Sequence, residues 1–325
     1  MGSLTEPRLR AVVLTYGTSA VHGPLLDSLL GQGVATERIL VVHNPAAPGE
    51  PDPAVPPGCE VLRATHNLGY AAGMNLGIER QLGRGCDLLL VLTHDARLRP
   101  GALATLLAAA AAHPEFGVLG PGLVFAGTET PFSFGGRTRP NGSTTHLTEP
   151  REVEDGIAPC DWVDGGTMLI RADALARTGG FDERLWSYCE EADLCLRVRR
   201  AGLRVGVVPA ALGDQVPGGT NRPGPWAYLM TRNGAAYAYR AAGLRGAAFI
   251  TVRGCYEALE ELARAAVRLT PLRSGSVMDP WAAAVGILRG LTDFYRRRWG
   301  PPPRLPGSGD VSNVVPPPAE DERGG

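Results

Sequence analysis

The chain has 325 residues, room for one large core or two smaller ones, and 32 basic against 33 acidic residues leave a formal net charge of −1. That balance gives no footing for a polyanionic partner such as nucleic acid, and every basic side chain is arginine. Six cysteines without a C-x-x-C pair read as intracellular thiols rather than a disulfide frame or zinc site. Met1–Pro7 lacks the apolar core of a signal peptide, and no window reaches the ~20 apolar residues of a membrane span. A cytoplasmic protein is expected, peripheral at most to the inner face of the plasma membrane.

In chain order, apolar runs at Leu9–Leu14 and Ile39–Val42 flank a helical pattern at Val21–Leu30, the strand–helix–strand unit of a parallel sheet. Pro45–Gly58 is a proline-rich loop and Glu60–Arg63 a third strand. Gly69, Gly73 and Gly77 then recur every four residues, a side-chain-free helical stripe for close approach of a ligand or of another backbone. Asn67 is placed to cap that helix. Asp87–Leu92 is a continuous apolar strand buried on both faces, Leu103–Ala112 a helix and Val118–Phe125 a further strand. Thr128–Pro159 is a polar excursion with a hairpin. Strands at Met168–Ile170 and Val205–Val208 bracket an acidic helix, and helices follow at Tyr228–Ala242, Ala247–Leu269 and Trp281–Trp299. Residues 301–325, proline-rich and polar, are expected to be disordered.

Three acids, Glu190, Glu191 and Asp193, crowd the start of the acidic helix, which stops at Gly202. With Leu194, Val198 and Ala201, Glu191 falls on the inward face, while Asp193 stands four residues before Arg197, the spacing of a surface ion pair. An inward carboxylate is costly unless something uses it; the bland alternative is that these acids offset the helix dipole. Asp95 follows the buried central strand at its carboxyl end, where open α/β sheets bind ligands. Its bland alternative is a turn or capping acid before Pro100-Gly101.

The segments Trp162-Val163-Asp164-Gly165-Gly166, Gly179-Gly180-Phe181-Asp182-Glu183 and Glu190-Glu191-Ala192-Asp193-Leu194 resemble the W-V-x-G-A, G-G-F-D-E and E-D-x-D-L motifs of family-two glycosyltransferases, in particular the rhamnosyltransferase-like branch. The resemblance extends from the first strand to about Gly300. It implies an α/β fold of the GT-A type, a nucleotide-binding sheet flanked by helices with a helical C-terminal extension. The implied domains are a catalytic domain at 1–245 (donor half about 8–125, acceptor half about 160–245), a helical extension at 246–300 and a tail at 301–325. By the same resemblance Glu191 stands where the family has its catalytic aspartate, with Glu190 as fallback, and Trp162, Asp164, Gly165 and Asp193 fall on the acceptor side. Thr15, Tyr16, His43, Asn44, Asn67, Gly69, Gly73, Asn75, Thr93, His94 and Arg232 fall on the donor side; Arg232 reads equally as a buried structural partner. Asp95 matches the last acid of the D-x-D motif that holds Mn²⁺ or Mg²⁺.

The chain departs from the family at three places. His43 replaces the acid that meets the donor base, and reads equally as an ordinary loop histidine. Thr93 replaces the first metal-motif acid. Gly213–Thr220 lacks the family's histidine and offers Asp214 or Gln215, with Asp214 the expected second metal ligand. The function implied is an inverting, metal-dependent transfer of a sugar from a nucleotide-diphospho-sugar to a hydroxyl of a glycan, lipid-linked or natural-product acceptor. The alternative is a catalytically silent relative that binds sugar nucleotide or glycan. A sugar nucleotidyltransferase would rely on lysines, and a dinucleotide dehydrogenase on a G-x-G-x-x-G that Tyr16–Gly23 does not contain. On the last helix, Trp281, Val285, Leu288, Leu291 and Tyr295 form a stripe ahead of Arg296-Arg297-Arg298. It suits packing on the domain, a homodimer, or contact with an anionic membrane.

Overall fold

A computed structural model describes residues 8–17, 22–47, 49–150, 152–216, 223–268 and 279–306. The expectations for Gly218–Thr220 and for the tail beyond residue 306 lie outside the described residues. The chain divides into two compact units, one up to Gln215 and one from Val216.

The first unit is built on a mixed sheet. Its strands are β1 (Leu9–Tyr16), β2 (Ile39–Asn44), β3 (Glu60–Arg63), β4 (Leu88–Thr93), β5 (Ala96–Leu98), β6 (Phe116–Phe125), β7 (Pro131–Ser133), β10 (Ala158–Pro159), β11 (Thr167–Arg171) and β12 (Arg204–Gln215). Strands β8 (Gly136–Thr138) and β9 (Thr144–His146) form a separate hairpin, the one anticipated in the excursion. Helices α1 (His22–Leu30), α2 (Gly69–Gly83), α3 (Ala102–Ala112), α4 (Ala172–Thr178) and α5 (Glu190–Arg200) complete the unit. The main strand order is β10-β12-β6-β11-β4-β1-β2-β3. The chain winds outward through β1, β2 and β3 in parallel, then returns to place β4 on the other side of β1, also in parallel. That reversal between β1 and β4 is the switch point at which open sheets leave a ligand-binding crevice beyond their carboxyl ends. β2 is buried at every position and β4 at all but its last, the burial on both faces anticipated from continuous apolar runs.

β12 is longer than the run Val205–Val208. Pro209 interrupts the apolar pattern, and the strand passes it by a register shift between Val208 and Leu212, then resumes pairing with β6 and β5 as far as Gln215. The bulge carries Gln215 into register with Ala96, next to Asp95.

The glycines of α2 serve close packing. A Cβ at Gly77 would fall inside Val12 and crowd Val42, and one at Gly73 would stand 2.8 Å from Leu14 Cδ1 and Asn44 Nδ2. Gly73, expected on the donor side, is the point of close contact between α2 and strands β1 and β2. Gly69, at φ +77°, faces the backbone and ring of Trp186, where a Cβ would lie 2.5 Å from the carbonyl oxygen.

The second unit comprises α6 (Pro223–Arg268) and α7 (Pro280–Tyr295). Gly243, at φ 66° and ψ −152°, breaks α6 between the two helices read from the sequence. The helical part thus starts at Pro223, ahead of the boundary expected near residue 246. Ala227, Ala258, Ala283 and Ile287 form its core. No helix among the described residues is long and apolar enough to cross a membrane.

Gly77→Val should lower unfolding stability by about 1–3 kcal/mol, because the new methyl groups meet the stiff, buried Val12 and Val42. Urea denaturation monitored by tryptophan fluorescence reads this directly, and an unchanged midpoint would contradict the packing role.

Candidate active site

The site is assembled where the carboxyl ends of β1 and β4 meet the loop before β11 and the start of α5. Thr93 N donates to the Gly166 carbonyl at 3.1 Å and His94 N to that of Leu14 at 3.0 Å, so the chain leaving β4 is tied to both neighbours. Asp95 comes next. Its Oδ1 is buried without a hydrogen-bond partner.

The Asp164–Gly166 turn holds its own shape, with Gly166 N donating to Asp164 Oδ1 at 2.9 Å. Tyr70, from α2, donates its hydroxyl to the Gly165 carbonyl at 2.7 Å. A Cβ at Gly165 would stand 3.2 Å from the Tyr70 hydroxyl and 3.4 Å from Glu191 Cβ, and one at Gly166 would lie 2.5 Å from Gln215 Oε1 and 3.0 Å from Asp164 Oδ1. The glycine pair therefore lets Tyr70, Glu191, Asp164 and Gln215 close around one turn of backbone.

Three non-glycine residues before α5 have positive φ: Trp186 at 65°, Tyr188 at 72° and Cys189 at 67°. Such backbone costs about 1–3 kcal/mol per residue and persists only where its surroundings impose it. Asn75 supplies one constraint, accepting from Phe181 N at 2.8 Å while donating to the Phe181 carbonyl and to Glu183, each at 2.9 Å. Asp193 supplies another. It is fully buried and takes Arg197 Nε at 2.9 Å, and the same guanidinium donates to the carbonyls of Thr178 and Gly180. The pair expected on the surface is thus buried at its acidic end. Asn75 and Asp193, expected at the donor and acceptor, are engaged in holding the loop.

The two glutamates opening α5 are unequal. Glu190 is almost wholly buried, with Oε2 unpartnered, and burial together with the Glu191 charge pushes its pKa well above the usual carboxylate range. Glu191 is half-buried beside Gly165. Burial and the charge of Asp164 raise its pKa to about 7, its own backbone hydrogen bond and His146 opposing. The deeper acid is therefore Glu190, although the helical pattern turned Glu191 inward. Tyr188 stands among Glu190, Asp95 and Glu191, and burial plus these charges hold its phenol above the ordinary range.

His146 was not singled out by the sequence, since a lone histidine in a polar excursion carries no signal. The β8–β9 hairpin sets its Nε2 3.5 Å from Asp164 Oδ2 and its ring edge-on to Trp162, centroids 4.7 Å apart. Burial works against the imidazolium, but the bond to Asp164 and the charges of Asp164 and Glu191 carry its pKa above the ordinary histidine value. Trp162, expected at the acceptor, is buried and packs against Gly136, where any Cβ would enter the indole.

The donor-side residues divide. Thr15 and His43 are buried in β1 and β2 and share a hydrogen bond of 3.1 Å, so His43 is a strand residue and not a loop histidine. Asn44 donates to the Gly69 carbonyl at 2.7 Å and accepts from Leu68 N at 3.3 Å; Asn67 accepts from Gly69 N at 2.9 Å. These amides shape the entry to α2. Tyr16 ends β1, half-buried. Arg232 lies in the second unit, fully buried, donating to Asn233, Tyr228 and the Gly300 carbonyl. Those contacts match the structural alternative. Asp214 alternates with Gln215 along β12 and pairs with Arg99 at 3.0 Å, which engages the carboxylate expected on the metal. Gln215 Oε1 is buried without a partner. Among the described residues no three His, Cys, Asp or Glu side chains are gathered as a metal cage.

A scan against protein-family models gives no match. The N-acetylglucosaminyl-diphospho-decaprenol L-rhamnosyltransferase of Mycobacterium tuberculosis is 31% identical over 232 residues, spanning 62% of this chain and 74% of that one. Rhamnosyltransferase WbbL of Escherichia coli is 48% identical over 61 residues, 19% of this chain and 23% of its own. Among solved structures, GalNAc-T7 with UDP, GalNAc and Mn²⁺ superposes with a TM-score of 0.57 at 11% identity, over 89% of this chain and 56% of that one. S. aureus TarS 1–349 in complex with UDP-GlcNAc gives 0.51 at 13% identity, over 90% and 81%. The structural likenesses define the fold, the GT-A fold of glycosyltransferases. The chain belongs to the family-two glycosyltransferases, in their rhamnosyltransferase-like branch, and is a glycosyltransferase enzyme.

The raised pKa of Glu191 links stability to pH. Its folded value, about 7, exceeds that of the unfolded chain, so the stability held in the protonated form is present below the ordinary glutamate range and lost as pH rises through 7. Wild type should therefore lose stability relative to Glu191→Gln between about pH 5 and pH 8. Parallel pH-independent denaturation curves for the two proteins would contradict the assignment.

Proposed function

We propose that the enzyme moves a sugar, a deoxyhexose such as rhamnose, from a nucleotide-diphospho-sugar to an acceptor hydroxyl, with inversion at the anomeric carbon. The observation that carries the mechanism is the unequal pair at the head of α5. Burial and the Glu191 charge push the Glu190 pKa well above the usual carboxylate range, while Glu191, half-buried against the Gly165 turn, titrates near neutrality and so can take a proton at working pH. Glu191 is the base for the acceptor hydroxyl. Asp164 raises its basicity, and His146 is a positioning residue that pairs with Asp164 and tempers that effect. The N-acetylglucosaminyl-diphospho-decaprenol acceptor of the tuberculosis relative supports a lipid-linked saccharide acceptor.

The donor diphosphate calls for a hard cation, Mn²⁺ or Mg²⁺. The orphaned Asp95 Oδ1 beyond the central strand fits it, and the amide oxygen of Gln215 is the unpartnered acceptor from β12, Asp214 being engaged by Arg99. When bound, the cation would offset charge on the leaving diphosphate. That arrangement supplies one carboxylate and one neutral amide oxygen for the cation.

Asp95→Asn should abolish turnover while leaving the melting temperature of the ligand-free protein close to wild type, and EDTA should reproduce the loss. Full activity in EDTA would remove the cation from the scheme. Glu191→Gln should retain nucleotide binding and lose transfer at least ~100-fold. Transfer assays against nucleoside-diphosphate release separate this from a catalytically silent relative, which requires no acceptor-dependent release by wild type.

His146 also makes a distinguishable contribution. Its charge lowers the Glu191 pKa, so His146→Asn should move the acidic limb of the kcat/KM profile to higher pH. A profile that loses amplitude without moving would make His146 merely structural.

A further inference from the structure

The helical unit carries features that sugar transfer does not use. Residues 216–325, the whole of this unit, contain 14 arginines against nine acids, net +5, whereas residues 1–215 contain 18 arginines against 24 acids, net −6. The near-neutral whole conceals two oppositely charged parts, an asymmetry that marks a surface for an anionic partner.

The same unit leaves large apolar side chains in solvent. On the second half of α6 these are Phe249, Val252, Tyr256 and Leu259, the last three 72%, 62% and 66% exposed. Their spacings of three, four and three put them on one stripe of the helix. The buried residues Ala247, Gly254 and Ala258 occupy the opposite side, and the charged Arg253, Glu257, Glu260 and Arg264 keep to the sector between. On α7, Trp281, Leu288 and Tyr295 stand seven residues apart and are 54%, 44% and 60% exposed. Leu291, which the sequence placed on that stripe, is instead buried near Gly254. The Tyr295 hydroxyl meets Thr251 Oγ1 at 2.7 Å, beside Val252, and so joins the two stripes at one end.

We propose that this face docks on an anionic lipid surface, the stripes entering the headgroup region and the arginines meeting the phosphates. Aromatic residues at the ends of an apolar stripe are the composition of an interfacial helix; along α6 the flanking Arg253 and Arg264 are paired with Glu257 and Glu261, so the free cations stand at the ends of the face. Arg245, Arg296 and Arg297 are exposed and have no acidic partner among the described residues, so their charge is available to a phosphate. A second copy of the chain is the poorer occupant, because two faces of the same basic unit, net +5, would repel across an isologous interface.

The test is flotation of the full chain with vesicles of phosphatidylglycerol and phosphatidylcholine, against phosphatidylcholine alone. Wild type should float with the anionic vesicles at low salt and leave them at high salt. Arg245→Ala with Arg296→Ala and Arg297→Ala should weaken binding about 100-fold, and Val252→Ser with Tyr256→Ser and Leu259→Ser should abolish it. Both triple variants should keep wild-type melting and wild-type transfer to a soluble acceptor. Failure of wild type to float at low salt would overturn the proposal. So would a concentration-dependent dimer in sedimentation velocity that the serine variant dissolves, which would assign the face to a second copy.

Discussion

Asp193, with no exposed surface, is bound by the guanidinium of Arg197 one turn later, and that guanidinium also closes the Thr178 and Gly180 carbonyls. On a helix surface such a pair contributes a few tenths of a kcal/mol. Buried at its acidic end, it belongs to another class, in which losing the cation costs roughly 3–5 kcal/mol because a charge is left unpaired. Together with the three-bond grip of Asn75 on Phe181 and Glu183, it fixes both ends of the segment whose left-handed residues aim Glu190 and Glu191. The position of Glu190 and Glu191 thus depends on an acid further along α5 and an amide from α2.

Around these carboxylates the chemistry is governed by crowding of like charge. Asp164 and Glu191 crowd the Gly165-Gly166 turn, with Glu190 next to Glu191 and Tyr70 and Tyr188 packed near these charges. In a desolvated setting crowded acids ionise less readily, and the pKa values of Glu190 and Glu191 are both raised, that of Glu191 to about 7. The two adjacent glutamates, indistinguishable in residue type, are separated by depth and by the charges each faces. Asp95 and Gln215 add acceptor oxygens without donors, a composition matched to a cation and a hydroxyl-rich ligand rather than to an anion.

Two parts of one chain have been tuned to different surroundings. The sheet unit has an acidic excess and places buried carboxylates at its switch point; the helical unit is basic, with an apolar outer stripe. A sugar-transfer site needs the first property. The second acts at longer range, since unpaired surface arginines are felt over a Debye length, about 8–10 Å at ordinary ionic strength.

Much of the architecture was legible in the residue order. Strands β1, β2, β3 and β4 and helices α2, α3 and α5 follow from apolar runs and helical spacing, because burial on both faces of a parallel sheet leaves a strong local mark. The glycine-flanked motifs likewise located the turn, the loop and the acidic helix that meet in the site. Depth was not legible. Whether Glu190 or Glu191 lies deeper, whether Asp193 pairs at the surface or inside, and which of Asp214 and Gln215 is left for a ligand depend on the Pro209 bulge and on Arg99 and Arg197 arriving from other elements. His146 enters only because a separate hairpin folds over Trp162. Periodicity records which face of an element is buried; the partner of each polar atom is decided by long-range contacts, and those exist only in the tertiary fold.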